Sequence, residues 1–239
     1  MSGKATEFLE EIEKNITQEK YEKLWKKYNK VIISFVAGCF LIVGAYTFYT
    51  KNEFKKLVEQ SHEFCVALEL LQQNNTKKAL EKLSAITHNN ATTYGNLATL
   101  TKAIEYSKSL NRDEHLQCYG LFQHIFENKK NHIILRCISL LHYGNLLLED
   151  AEETKEDIKK LDDLRIKINE IIPNHSSFFL FAQEILGQIA LIEKKYAQAA
   201  DIFTTLGQRS DLPQSLRLRV QLASQEIASL LSKNIRPKE

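Results

Sequence analysis

The chain has 239 residues, 44% of them apolar and 26% charged, which excludes a disordered polymer and leaves room for one sizeable folded domain. Its 32 basic and 30 acidic residues nearly cancel, so there is no basic field to hold nucleic acid. Four cysteines are no disulfide framework, and eight glycines with three prolines are too few for a loop-rich or all-β fold.

Residues 1–30 read as a cytoplasmic amphipathic tail. Its first part is rich in glutamate and its second in lysine, and Phe8, Ile12 and Ile16 recur at the helical spacing. Residues 31–49, VIISFVAGCFLIVGAYTFY, carry no charge. As a helix they rise roughly 28 Å, close to the hydrocarbon thickness of a bilayer. The expected membrane anchor therefore runs from Val31 through Phe40 to Tyr49. Trp25 and Tyr28 before it, with Tyr46 and Tyr49 at its end, suit interfacial aromatic belts. Lys20, Lys23, Lys26, Lys27 and Lys30 precede the span, against Lys51, Lys55 and Lys56 after it. That bias favours a cytoplasmic N-terminus and places residues 50–239 across the membrane, in the periplasm of a two-membrane bacterium. Three readings compete with the uncleaved anchor. A cleaved signal peptide has a shorter apolar core and a small-residue cleavage site. A lipoprotein signal is suggested by Val36-Ala37-Gly38-Cys39, but apolar residues continue well past Cys39. A buried helix of a soluble protein fits poorly with the uncharged length and lysine flanks.

From Phe54 onward the apolar period is helical throughout. Phe54, Leu57, Val58, Phe64, Ala67, Leu68 and Leu71 form one stripe, broken at residues 72–75. Thr76 can cap a second helix carrying Ala79, Leu80, Leu83 and Ile86. A long helix is expected from about Ala91 to Leu110, then one carrying Leu116, Leu121, Phe122 and Ile125. Ile133 to Leu148 follows, and its partner carries Ile158, Leu161, Leu164, Ile168, Ile171 and Ile172 before Pro173. No alternating run suggests a strand.

The most regular stretch is Leu180 to Asp211. Leu186-Gly187, Tyr196, Ala199, Phe203 and Leu206, with Pro213 just beyond, have the spacing of a tetratricopeptide repeat. Antiparallel helices approach closely only where side chains are small. Gly187 and Ala199, twelve residues apart, are expected to make that approach, with Leu186, Tyr196 and Phe203 filling the space around it. Gly144, flanked by Tyr143 and Leu147, can act as Gly187 does one hairpin earlier, but an insertion rich in Glu and Lys displaces its partner helix. Ala103 and Leu116 are weaker candidates for the hairpin before that. The fold expected is all-α: an N-terminal transmembrane helix, then a tetratricopeptide-like array of three or four hairpins closed by a capping helix, Gln214 to Leu231. An irregular helical bundle is the alternative.

A Glu-rich start, Leu24-Trp25-Lys26-Lys27-Tyr28, one span and degenerate hairpins together resemble the YfgM-type ancillary subunit of the bacterial Sec translocon. The resemblance covers nearly the whole chain, and its motifs are architectural. It implies a single-pass inner-membrane protein whose periplasmic domain is linked to the SecYEG channel and to periplasmic chaperones.

No phosphate-binding glycine loop and no H-E-x-x-H motif occur, and no cofactor is expected. His115 and Cys118 share one helix face, and Cys137 and His142 lie on the next helix, so four N/S ligands could meet. Small buried core cysteines are the plainer reading, and a Cys118–Cys137 disulfide stays open. Glu156 and Lys160 are spaced as a helical ion pair. Nothing supplies a nucleophile, base or metal, so the function expected is not catalysis but scaffolding. It is either ancillary to the Sec translocon or a coordinator of envelope assembly or cell division. Taking Leu180 as the first repeat position, Phe181, Glu184, Gln188 and Leu191 are the outward residues expected to meet a protein partner.

Overall fold

The computed structural model describes the backbone of residues 3–87, 92–151 and 154–235, and within them the side chains of Phe35 and Gly38–Ser232 other than Lys155. Every element described is helical: α1 (Gly3–Gln72), α2 (Thr76–Thr87), α3 (Thr93–Ser107), α4 (Arg112–Glu127), α5 (Ile133–Glu149), α6 (Lys155–Ile171), α7 (Phe178–Ile192), α8 (Tyr196–Gly207) and α9 (Gln214–Ile235). The chain divides into two units, Met1–Glu59 and Gln60–Glu239.

In the first unit, α1 exposes large apolar side chains on successive residues. Phe40, Leu41, Ile42 and Val43 are each at least 59% exposed, as are Phe35, Tyr46, Phe48 and Tyr49. Four consecutive positions on a 3.6-residue helix cover its whole circumference, so no single face is spared. The Thr47 hydroxyl is satisfied within the helix, donating to the carbonyls of Val43 and Gly44 at 2.9 Å. No helix among the described residues is long and apolar enough to cross a membrane. At the start of the expected span the side chains of Val31–Ser34, Val36 and Ala37 lie outside those described, as do those of the tail.

In the second unit, neighbouring helices pack in sequence from α2 to α5 and from α7 to α9, with α6 against both α5 and α7. In addition α3 packs on α5, α5 on α7 and α7 on α9. These are the marks of four stacked hairpins, the end of α1 with α2, then α3–α4, α5–α6 and α7–α8, closed by the single helix α9. The core is a chain of local clusters, as a stacked array requires. Ala67, Leu83, Ile86 and Ala98 tie the first hairpin to α3. Leu100, Cys118, Phe122 and Ile125 fill the second, and Leu140, Leu161, Leu164, Ile185 and Ile189 join the third to α7. Leu180, Phe203, Leu216 and Val220 seat α9 on the fourth.

The fourth hairpin closes on Gly187, but its nearest neighbour is Phe203 and not Ala199. A Cβ built on Gly187 falls 2.7 Å from Phe203 Cε2 and 2.8 Å from its Cζ. Ala199 is fully buried one turn before that ring. Tyr196 is half-buried, and Leu186 packs instead against the cluster of α5 and α6. The same pattern closes the first hairpin, where it is hard to recognise. Ala79 and Leu83 follow Ala67 by twelve and sixteen residues, as Ala199 and Phe203 follow Gly187, and all three are fully buried. The turns agree as well. Asn75 N–H donates to Leu70 O at 2.8 Å and Asn74 N–H to Leu71 O at 3.0 Å; Lys195 and Lys194 repeat this on Ala190 and Leu191 at 2.8 and 2.9 Å. This pair of bonds satisfies the last carbonyls of a helix by turning one residue left-handed. Asn74 and Lys194 accordingly have φ of 59° and 61°.

The middle hairpins depart from this register because their turns are longer. Leu164 stands against Gly144, its Cδ2 at 3.3 Å from an added Cβ, but lies twenty residues after it, not sixteen. In α4 the buried positions are Cys118, Phe122, Ile125 and Phe126, while Leu116, expected on the apolar face, is 57% exposed. The long third helix is also shorter than expected, beginning at Thr93 on an N-cap Thr92 whose hydroxyl accepts from Gly95 N–H. The end of α4 is closed from the following segment. Ser139, Asn131 and Arg136 donate to the carbonyls of Phe122, Ile125 and Phe126 at 2.8, 3.0 and 2.8 Å. The carbonyls of Ile125 and Phe126, among the last four of the helix, thereby find partners within the protein, and Phe122 gains a second one.

Candidate interaction groove

Helices α5, α7 and α9 lie side by side and leave a groove between them. One cavity of about 330 Å³ is lined by Ile138, Leu141, His142 and Asn145 of α5, Phe178, Phe181, Glu184 and Ile185 of α7, and Arg219 of α9. A second, of about 420 Å³, is lined by Leu148 of α5, Gln188, Leu191 and Ile192 of α7, and Arg219, Leu222, Ala223 and Glu226 of α9. They meet at Arg219, which belongs to both.

The periodicity of α7 explains its share. Phe181, Glu184, Gln188 and Leu191 are spaced three, four and three, one face of a helix, and all four line the groove. Aligning Gly144 on Gly187 gives the equivalent positions of α5 as Ile138, Leu141, Asn145 and Leu148, and these line it too. That register was present in the sequence and identifies the α5 wall, which attention to α7 alone misses.

Glu184 lines the groove but is withdrawn from solvent there. It is 5% exposed, and its two carboxylate oxygens accept from Arg219 Nε and Nη2 at 2.5 and 2.6 Å. A buried carboxylate needs such a partner, because desolvation disfavours its charged form. The same hydrogen bonds push the Arg219 guanidinium further above its ordinary pKa. Arg219, thirty-five residues away in sequence, has no local signature that marks it as this partner. Phe181 is half-buried, packed against the cluster that seats α9. His142 stacks on Phe122 with ring centroids 5.8 Å apart and planes at 6°. Burial first, and then the nearby Lys108 charge, hold its imidazole below the ordinary histidine range.

The four residues considered as metal ligands are engaged separately. His115 Nε2 pairs with Asp150 Oδ2 at 2.8 Å, and the same oxygen accepts from the Tyr119 hydroxyl at 2.6 Å. Cys118 donates to His115 O, Cys137 faces Ile171 O, and all four cysteines are free thiols. No group among the described residues is arranged to hold a metal ion. Desolvation pushes the Cys118 thiol up to about 11, with the Asp150 charge adding to it. Glu156 and Lys160 do pair, at 3.0 Å.

A family model described as a tetratricopeptide repeat-like domain matches residues 22–163. The matched range includes the apolar segment and ends within α6, short of α7 and α8, whose spacing is the most regular. No curated protein and no solved structure matches the chain.

Proposed function

This chain belongs to the tetratricopeptide repeat-like domain family, and we propose that it is a membrane-anchored scaffold that holds polypeptide segments in the groove of α5, α7 and α9. Domains of this family are typically protein-interaction modules without catalysis. The observation that carries the reading is the groove itself. It combines a partly buried aromatic residue, Phe181, with apolar walls and a few polar groups, the composition of a protein-binding surface. The anchor is residues 31–49, supported by the exposed apolar circumference of α1 at Phe40–Val43. With the lysine bias before the span, the N-terminus is cytoplasmic and the repeat unit periplasmic, in a bacterial inner membrane. The partners are the SecYEG channel and the periplasmic chaperones that receive emerging chains, as the resemblance to translocon ancillary subunits implies.

The test is site-specific photo-crosslinking in intact cells. A photoreactive residue at Phe181 is expected to give adducts recognised by antibodies to translocon or chaperone subunits, whereas one at exposed Thr205 on α8 is not. Equal labelling at both positions, or adducts confined to Thr205, defeats the groove reading. A reporter active only outside the cytoplasm, fused after Glu239, is expected to be active; activity only when it is fused at Met1 inverts the topology.

A further inference from the structure

We infer that the groove selects an extended stretch of polypeptide with apolar side chains and no acidic ones, and that the Glu184–Arg219 pair is the device that rejects acidic segments. The inference rests on reading this groove as a polypeptide site. Left alone, Arg219 would place an uncompensated guanidinium where the two cavities meet, an attractive seat for a carboxylate. Glu184 cancels that charge with two hydrogen bonds from a buried position. Asn145 and Gln188 add neutral amides, and Glu226 adds a second negative charge at the far end. One cation against two carboxylates leaves nothing to draw an anion in. Like-charge juxtaposition instead repels one.

What remains suits a neutral main chain. Arginine has five N–H donors, and two are committed to Glu184, leaving three on a side chain 48% exposed. Those three can reach the carbonyls of an extended segment, with the amides of Asn145 and Gln188 able to serve either backbone group. On either side of this polar waist, Phe181 and Ile138 wall one cavity, and Leu191 and Leu222 the other. Each cavity takes an apolar side chain while the backbone crosses Arg219.

The test uses the full chain in detergent micelles and fluorescence anisotropy of a labelled peptide alternating leucine or phenylalanine with serine. Its twins carry aspartate or lysine in place of serine. The wild type is expected to bind the serine peptide at least about tenfold more tightly than the aspartate twin, and the lysine twin at least as tightly as the serine peptide. Glu184→Gln is expected to abolish that preference by raising affinity for the aspartate twin. The double variant Glu184→Gln, Arg219→Gln restores the wild-type ranking by removing both charges together. Circular dichroism establishes that each variant is folded. The inference is overturned if the wild type binds the aspartate twin as well as the serine peptide, if the lysine twin binds as weakly as the aspartate twin, or if Glu184→Gln leaves the ranking unchanged. The groove reading itself fails, separately, if the serine peptide does not bind or if Phe181→Ser with Leu222→Ser leaves its affinity intact.

Discussion

Replacing Gly187 with alanine adds one methyl group where the Phe203 ring of α8 lies against α7. The new Cβ would lie 2.7 and 2.8 Å from two ring carbons of Phe203. Carbon atoms prefer about 3.5–4.0 Å, so the overlap is roughly 1 Å. Phe203 is 1% exposed and cannot swing away, leaving separation of the helices as the only relief. Overpacking of this kind costs about 1–3 kcal/mol. Alanine recovers about 0.5–1 kcal/mol in helix propensity, so the net loss is about 1–2 kcal/mol. For a chain of this size that lowers the melting temperature by about 2–8 °C. Gly120, on the exposed side of α4, is the control, since an added Cβ meets nothing within 4 Å. Gly120→Ala gains the propensity without the clash and should raise the midpoint by about 1–4 °C. Thermal melts of the full chain in detergent, followed by circular dichroism, measure both. Opposite signs are the expected result, with Gly187→Leu lower still. A Gly187→Ala midpoint at or above the wild type would refute the close approach of α7 and α8 at Phe203.

Lys194→Gly should raise stability by up to about 1 kcal/mol in the same melts, because the left-handed backbone there suits glycine better than lysine. Ser139→Ala should lower it by about 1 kcal/mol by removing the buried hydroxyl's bond to the Phe122 carbonyl, which keeps its partner within the helix. Glu193 gives a pH signature: burial alone would raise its carboxyl, but hydrogen bonds from Lys195 and Arg165 hold it below the ordinary value. A carboxyl depressed in the folded state contributes stability that is present above its unfolded pKa and lost as pH falls through the folded one. Denaturation midpoints should therefore fall with acidification through that range, and Arg165→Gln should flatten the fall. A maleimide at neutral pH should modify exposed Cys65 and spare Cys118 and Cys137, which mass spectrometry reads directly; labelling of Cys118 in the folded chain would contradict its burial.

The helical period determined much from the sequence alone. Apolar residues at three and four spacing mark helices wherever they occur, so the all-α class and the existence of hairpins needed no contacts. Gly187, Ala199 and Phe203 stood out because a glycine inside a helix is unusual enough to ask for a reason. The first hairpin has the same architecture but escaped notice, since Ala67 and Ala79 occupy the small positions and alanine is common in any helix. The groove was half legible. The α7 face follows from its period and the α5 face from the Gly144 register. The pairing of Glu184 with Arg219 is decided only when α9 docks on α7, because an ion pair depends on which helices become neighbours and at what stagger. Helix periodicity records which side of a helix is apolar, whereas turn length sets how one helix slides along the next. That is why Leu164 and not an earlier residue meets Gly144, why Leu116 ended in solvent, and why Glu184, read from its period as an outward residue, became the buried counter-ion of Arg219.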